Sequence, residues 1–205
     1  TIVEVMGRNA GWLTASSALA RLNGGNGPDL IYLCEKPFDT EDFLKVVEEK
    51  LKTQDSVLVA ISEGIKDAEG HYVSEQVQTK ALDNFGHAYI SGSAKVLEQI
   101  VQDRIGCKVR SIELNLMQRC AAHLASLADI EESFALGKAG VASALRGETG
   151  RMVALDRLSD SPYSVKLKTV AIEEVAILEQ LVPEKWWDLY DPKAVEEIRA
   201  QLAQQ

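Results

Sequence analysis

Short apolar runs alternate with amphipathic segments along the first part of the chain. Residues 1–6, 30–34 and 56–61 are apolar runs that predict strands, and residues 10–22 and 40–51 repeat apolar side chains at helical spacing. The run at 56–61 lacks polar alternation, which is typical of a strand covered on both faces. Strands that alternate with helices favour an α/β domain with a parallel sheet.

The pattern loosens after Gly64. Residues 66–91 are polar and irregular, and we expect a hairpin or a short helix there. Apolar spacing then predicts a helix at 93–105, and a strand is predicted at 108–115. A fourth strand would extend the parallel sheet.

The second half of the chain predicts one long helix followed by two strands. Asp129 is the expected helix cap and Gly147 the expected stop. The apolar face of this helix is predicted to consist of Ile130, Phe134, Gly137, Val141 and Leu145. Strand-like runs follow at 151–155 and 165–172, and a charged helix is predicted from Pro192.

Composition narrows the class of partner. The net charge is −9 with a pI near 4.9, which argues against nucleic acid or an anionic membrane as the main partner. Three cysteines without metal-like spacing fit a reducing cytoplasm, and no apolar stretch is long enough to cross a membrane. Because the chain begins inside a predicted strand without an initiator methionine, we expect it to be the C-terminal portion of a longer protein.

Two predicted strands end in residues suited to a phosphorylated ligand. Met6, Gly7 and Arg8 follow the first strand, and a helix is expected to open at Asn9, where its free N–H groups would attract phosphate. Glu63 ends the third strand, and its carboxylate can accept hydrogen bonds from sugar hydroxyls. Parallel strands end at the same edge, so these residues should share a crevice. A plain strand–helix turn with a solvated arginine is the alternative.

Arginines on both sides of the predicted fourth strand are further candidates. A dianionic phosphate favours more than one guanidinium, and Arg110 and Arg119 bracket this strand. They could equally be surface arginines that balance Glu113 and Glu131. The three histidines are scattered, and neither a GxGxxG nor a GxxxxGK[ST] motif is present. A metal site, a Ser-His-Asp triad and a P-loop are therefore not indicated.

Taken in order, several segments closely resemble the phosphofructokinase family. The segments are 3–12 (VEVMGRNAGW), 61–64 (ISEG), Gln118-Arg119 and 147–153 (GETGRMV). The resemblance implies a Rossmann-like three-layer α/β sandwich with a mainly parallel sheet. It also implies a fructose 6-phosphate-binding domain at 1–127, and a portion at 128–205 that packs on a missing N-terminal domain.

The same resemblance implies roles for individual residues. The residues expected to bind substrate are Met6, Gly7, Arg8, Glu63, Arg110, Leu116, Met117, Gln118 and Arg119. Arg119 would hold the 6-phosphate and Glu63 the sugar, while Arg8 would offset charge in the transition state. The family's catalytic aspartate and its glycine-rich donor loop with Mg²⁺ find no match and would lie upstream. Fructose 1,6-bisphosphate would be the product.

Departures from the family pattern bear on the phosphoryl donor. Leu116 stands where many members have His or Tyr, and Cys120-Ala121-Ala122 replaces the Gly-Gly-Ser of ATP-dependent bacterial enzymes. The sequence that follows Arg119 is more similar to that of the pyrophosphate-dependent branch. ATP as the donor and a non-catalytic regulatory subunit stay open as alternatives. The resemblance further implies a cytoplasmic homodimer or homotetramer, in which Arg110 could reach a neighbour's substrate.

Overall fold

A four-stranded parallel sheet forms the centre of the first of two compact units. The computed structural model describes residues 1–76 and 92–187, without the side chains of residues 22–24 and 76. The strands are β1 (Ile2–Val5), β2 (Leu30–Tyr32), β3 (Val59–Ser62) and β4 (Ser111–Glu113). Their order is β2-β3-β1-β4, and each neighbouring pair is parallel. The predicted α/β class with a parallel sheet is confirmed.

Two amphipathic helices supply most of the apolar cover of this sheet. Helix α2 (Thr40–Leu51) begins at Asp39, whose carboxylate accepts hydrogen bonds from two amides of the first turn. It buries Phe43, Leu44 and Val47 in the core, as its apolar spacing predicts. Helix α3 (Ser93–Arg104) contributes Val96, Leu97 and Val101 to the same core. All four positions of β3 are buried, which confirms the prediction from its unbroken apolar run.

The segment after β1 differs from its prediction. A single helix was expected over 10–22, but α1 (Trp12–Ser16) is followed by a 3-10 helix at Ser17–Gly24. The hydroxyl of Ser16 donates to the Leu13 carbonyl at 2.7 Å, and that of Ser17 donates to the Thr14 carbonyl at 2.6 Å. Such side-chain bonds to the preceding turn compete with regular α-helical pairing.

The described part of the second unit, residues 119–179, contains a long helix and a hairpin. Helix α5 (Leu127–Leu145) is followed by antiparallel strands β5 (Arg151–Asp160) and β6 (Tyr163–Ala171), both longer than predicted. The short helix α4 (Asn115–Arg119) spans the boundary between the units.

The cap of α5 differs from its prediction. Ser126, not Asp129, is the N-cap, and its hydroxyl accepts a hydrogen bond from the Asp129 amide at 3.4 Å. The Ser-x-x-Asp spacing is the missed signal, since a capping serine bonds the amide three residues on. Gly147 follows the helix with φ of +77°, which confirms it as the stop.

The irregular region after β3 is described in part. Lys66 and Tyr72 form an isolated antiparallel bridge, and a 3-10 helix follows at Val73–Gln76. The rest of the predicted excursion, at 77–91, and the helix predicted from Pro192 lie outside the described residues. Within the described ranges, none of the helices has the length and apolar character needed to cross a membrane.

Candidate functional site

The exits of β1 and β3 run side by side at one edge of the sheet. Val5 pairs with Ser62 at the end of the strands, and the Glu63 amide then donates to the Val5 carbonyl at 2.9 Å. The Gly64 amide continues this pairing by donating to the Gly7 carbonyl at 3.2 Å. The two segments that the sequence singled out are thus joined by hydrogen bonds beyond the strands themselves.

Glycine is required at this edge because the segments that follow β1 and β3 approach each other so closely. A Cβ on Gly64 would lie 1.9 Å from the Arg8 carbonyl oxygen, far inside contact distance. Gly7 has φ of +155°, and a Cβ there would lie 2.7 Å from the Ala10 carbonyl oxygen. Neither position accepts a side chain without movement of the backbone. The crossing of the two segments is therefore encoded by these two glycines.

Side chains from two other segments contact the amides at the end of β1. Gln118 of α4 accepts a hydrogen bond from the Met6 amide through its Oε1 atom at 2.7 Å. Glu63 Oε2 lies 3.5 Å from the Gly7 amide, at the long limit of a hydrogen bond. Met6, Gly7, Glu63 and Gln118 therefore form one connected group, and Arg8 follows them on the same loop.

The loop that carries Arg8 is fixed at its far end by a carboxylate of this chain. Glu35 Oε1 accepts from the Gly11 amide at 2.8 Å and from the Val182 amide at 3.0 Å. The helix expected to open at Asn9 begins instead at Trp12, three residues later, with Gly11 at its N-cap. Within the described residues, the Arg8 guanidinium makes no ion pair or hydrogen bond of its own.

Residues 180–187 also contact the start of α1. The indole N–H of Trp12 donates to the Gln180 carbonyl at 2.7 Å. The ring of Trp12 meets that of fully buried Trp186 edge-on, with 5.7 Å between the centroids. The segment that begins α1 is thus held by both a carboxylate and an aromatic contact.

The remaining candidates on α4 are exposed. Leu116 and Met117 are 70% and 58% exposed, and the side chain of Arg119, the last residue of the helix, is exposed as well. They share this short helix with Gln118, which accepts from the amide of Met6, just after β1. α4 follows the carboxyl end of β4, whose neighbour Leu114 donates its amide to the Glu4 carbonyl at 3.0 Å.

Arg110 lies at the opposite end of the sheet from the other candidates. It precedes β4, and its carbonyl accepts a hydrogen bond from the amide of Ile2, the first residue of β1. Its side chain is exposed. The structure therefore does not bring Arg110 together with Met6, Gly7 and Glu63 within this chain.

Glu4 is a buried carboxyl group that sequence reasoning did not select. It is 2% exposed, and burial raises the pKa of its carboxyl group to about 7. Hydrogen bonds from the Ala94 and Gly92 amides lower this pKa, while the charges of Glu113 and Glu63 raise it. A charged residue within an otherwise apolar strand was the available signal.

The described residues offer no metal centre at this edge. Within residues 1–76 and 92–187, no three or more His, Cys, Asp or Glu side chains are grouped so that they could hold a metal ion. A separate concavity of about 590 Å³ lies beside β2 and α2, where it is lined by Tyr32, Lys36, Lys50 and Trp187 among others. It contains none of the predicted site residues.

Comparisons with known proteins agree on one family. Residues 1–130 match the family model described as Phosphofructokinase. The pyrophosphate–fructose 6-phosphate 1-phosphotransferase of Methylococcus capsulatus is 39% identical over 182 residues, which is 89% of this chain and 43% of that protein. The enzyme of the same name from Xanthomonas campestris is 38% identical over the same shares of the two chains.

A solved structure agrees with the sequence comparisons. The crystal structure of a pyrophosphate-dependent phosphofructokinase from Marinobacter aquaeolei matches with a TM-score of 0.70 and 28% identity, covering 96% of this chain and 47% of that one. The predicted phosphofructokinase fold is thereby confirmed. The chain spans 43% of the length of each of these two curated relatives.

Proposed function

Because this chain belongs to the phosphofructokinase family, we propose that it carries the fructose 6-phosphate site of a pyrophosphate-dependent enzyme. The reaction would move a phosphoryl group from pyrophosphate to the 1-hydroxyl of the sugar, giving fructose 1,6-bisphosphate. The observation that supports this proposal is the hydrogen-bonded group formed by Met6, Gly7, Glu63 and Gln118, with Arg8 beside it.

The sugar would lie against the crossing of the β1 and β3 exits. The close approach at Gly7 and Gly64 keeps this surface free of bulky side chains, so a ligand can approach the backbone. Glu63, whose Oε2 is oriented by the Gly7 amide, would accept hydrogen bonds from sugar hydroxyls. Met6 and Gly7 would form the adjoining wall.

The two ends of the sugar would be held by arginines. Arg119 follows Gln118, which is fixed to the Met6 amide, and its forked donors would bind the 6-phosphate. Leu116 and Met117, on the same helix, would contribute apolar surface around the ligand. Arg8 would approach the transferring phosphoryl group and offset charge that develops in the transition state. Positioning and charge stabilisation are what phosphoryl transfer requires of a protein.

Other parts of the reaction would be supplied by the rest of the protein. We expect the catalytic aspartate, the donor-phosphate loop and the Mg²⁺ ligands outside this chain. Mg²⁺ would neutralise phosphate charge, as it does in phosphoryl transfer generally. The described residues form no site for it. The proposed contribution of this chain to charge stabilisation is the positive charge of Arg8 and Arg119.

Assembly and compartment follow as expectations of the same proposal. Arg110 is exposed at the amino end of β4, where it could reach a neighbouring subunit's substrate only in a homodimer or homotetramer. The three cysteines are free thiols, which fits the proposed cytoplasmic location. Light scattering on the full-length protein would measure the oligomeric state.

A coupled assay on the full-length protein tests the function. We expect turnover of fructose 6-phosphate with pyrophosphate, and little with ATP at equal concentration. Turnover with ATP alone would reassign the donor, because the preference for pyrophosphate rests on similarity to that branch of the family. Binding of fructose 6-phosphate without turnover by either donor would instead identify a regulatory subunit.

A further inference from the structure

Glu4 is the one ionisable residue of β1, and its carboxylate points to the start of another helix. It accepts a hydrogen bond from the Ala94 amide at 2.8 Å and a longer one from the Gly92 amide at 3.4 Å. These amides open α3, so the carboxylate caps that helix from the middle of a buried strand. Its backbone carbonyl accepts from the Leu114 amide at 3.0 Å, just before α4.

Each element that Glu4 contacts is connected to a candidate binding residue. The hydroxyl of Ser93, at the start of α3, donates to the Glu63 carbonyl at 3.0 Å. Leu114 leads directly into α4, whose Gln118 bonds to the Met6 amide. Glu4 itself lies on β1, two residues before Met6, which follows the strand. One buried residue, through its side chain and its backbone carbonyl, therefore joins the three segments of the candidate site.

We propose that Glu4 is a positioning residue whose ionised carboxylate holds α3 and the Glu63 turn in the arrangement that binds the sugar phosphate. Uptake of a proton by this carboxylate weakens its hold on the α3 amides and lowers the affinity for fructose 6-phosphate. This inference rests on the proposed function, because it concerns the same site.

The surroundings of Glu4 set the pH range of this effect. On β4 its register partner is Glu113, on β3 the register partner is Ile61 with Glu63 just beyond, and α3 contributes the backbone amides. Burial, Glu113 and Glu63 together keep the pKa of the Glu4 carboxyl at about 7 despite the two amides. Affinity should therefore increase as pH rises through neutrality and the carboxylate forms.

Stability should respond to pH in the opposite direction. The folded-state pKa of about 7 lies above the ordinary value of 4.5, so the folded protein holds this proton more tightly than the unfolded chain. The stabilisation is fully present below the ordinary value and is lost as pH rises through about 7. Partial unfolding at low pH would lower affinity and stability together. The proposed effect of Glu4 changes them in opposite directions, so the two can be told apart.

The test compares Glu4→Gln with the wild type in the full-length protein, using calorimetric titration of fructose 6-phosphate without a donor. The dissociation constant of Glu4→Gln is divided by that of the wild type at each pH, so that ionisation of the ligand's own phosphate cancels. We expect this ratio to rise from near one at about pH 5.5 to about five at about pH 8.5, the effect of losing one or two modest hydrogen bonds. Unfolding by urea should lose its pH dependence around neutrality in the same variant.

Glu113→Gln is the matched variant, because it removes a neighbouring charge and leaves the α3 contacts in place. The midpoint of the wild-type affinity change should then move to lower pH, since one repulsive charge on Glu4 is gone. This measurement remains informative if Glu4→Gln fails to fold. A flat ratio for Glu4→Gln, or an unmoved midpoint for Glu113→Gln, would overturn the inference, whereas absence of fructose 6-phosphate binding in the wild type would overturn the proposed function instead.

Discussion

Helices α2 and α5 carry the same kind of apolar stripe, yet only one of them buries it. Phe43 of α2 is fully buried in a core with β1 and β3, whereas Phe134 of α5 is 66% exposed. In the first unit the sheet supplies an apolar surface for the helix. In the second, the described contacts of α5 are with a two-stranded hairpin. Periodicity thus predicts which side of a helix is apolar, and the rest of the chain decides whether that side is covered.

Truncating the two phenylalanines is the strongest way to test this difference. Phe43→Ala removes a buried ring and leaves a cavity, so it should lower the free energy of unfolding of the 205-residue chain by about 4 kcal/mol. Urea unfolding followed by tryptophan fluorescence, to which buried Trp186 contributes, and by circular dichroism would report it. Phe134→Ala should change the same quantity by less than about 0.5 kcal/mol. Equal losses would mean that the α5 stripe is covered within this chain.

Repeating Phe134→Ala in the full-length protein sharpens the comparison. If residues outside this chain cover the stripe, as the family resemblance implies for 128–205, the same substitution should destabilise the full-length protein measurably. An unchanged stability would leave the α5 stripe exposed there as well, and would remove the support for that packing.

Two glycines provide a second contrast between the units. Gly64→Ala places a Cβ 1.9 Å from the Arg8 carbonyl oxygen, so we expect a loss of about 3 kcal/mol in stability and weak binding of fructose 6-phosphate. Gly137→Ala on α5 meets no atom within 4 Å, and should gain about 0.8 kcal/mol through helix propensity. Circular dichroism during urea unfolding measures both. A Gly64→Ala protein that binds the sugar normally would show that the crossing of the two segments is not needed.

Arg119 offers a smaller effect that separates binding from stability. Arg119→Ala should raise the KM of the full-length enzyme for fructose 6-phosphate roughly thirty-fold, or about 2 kcal/mol, because the phosphate loses a charged donor. Arg146→Ala is the matched control, since Arg146 is an exposed arginine of the same unit that pairs with Glu148 at 2.7 Å. An unchanged KM for Arg119→Ala would remove this residue from the proposed site.

Much of the first unit follows from local sequence pattern. Helix α2 forms where it was predicted, and β3 forms within the predicted apolar region but begins at Val59 rather than at residue 56. The apolar positions of these two elements match the period of a helix and of a strand. The segment after β1 departs from the pattern because Ser16 and Ser17 bond to the preceding turn, a competition that apolar spacing does not reveal. Hydrogen bonds from local side chains, rather than apolar spacing, therefore explain why a single long helix does not form after β1.

The site shows a similar division. The pairing of the Met6–Arg8 and Glu63–Gly64 segments could be predicted because parallel strands end at a common edge. The bond from the Met6 amide to Gln118, across 112 residues of chain, depends on tertiary packing. So does the contact of Glu4 with α3, although an acidic residue within an apolar strand was a visible anomaly. The residue types were enough to predict which edge of the sheet carries the candidate site. The contacts that hold its residues in place became visible only in the structure.

Helix caps provide the smallest and most local contrast. Asp39 accepts from two amides of α2 at 2.8 and 3.0 Å, whereas Ser126 accepts from one amide of α5 at 3.4 Å. Ser126→Ala should therefore cost about 1 kcal/mol of stability, and Asp39→Ala at least as much. Asp129→Ala should cost less than Ser126→Ala, because it removes only a charge near the start of the helix. Urea unfolding monitored by circular dichroism would rank the three, and a larger loss for Asp129→Ala would return the cap of α5 to the residue that the sequence pattern selected.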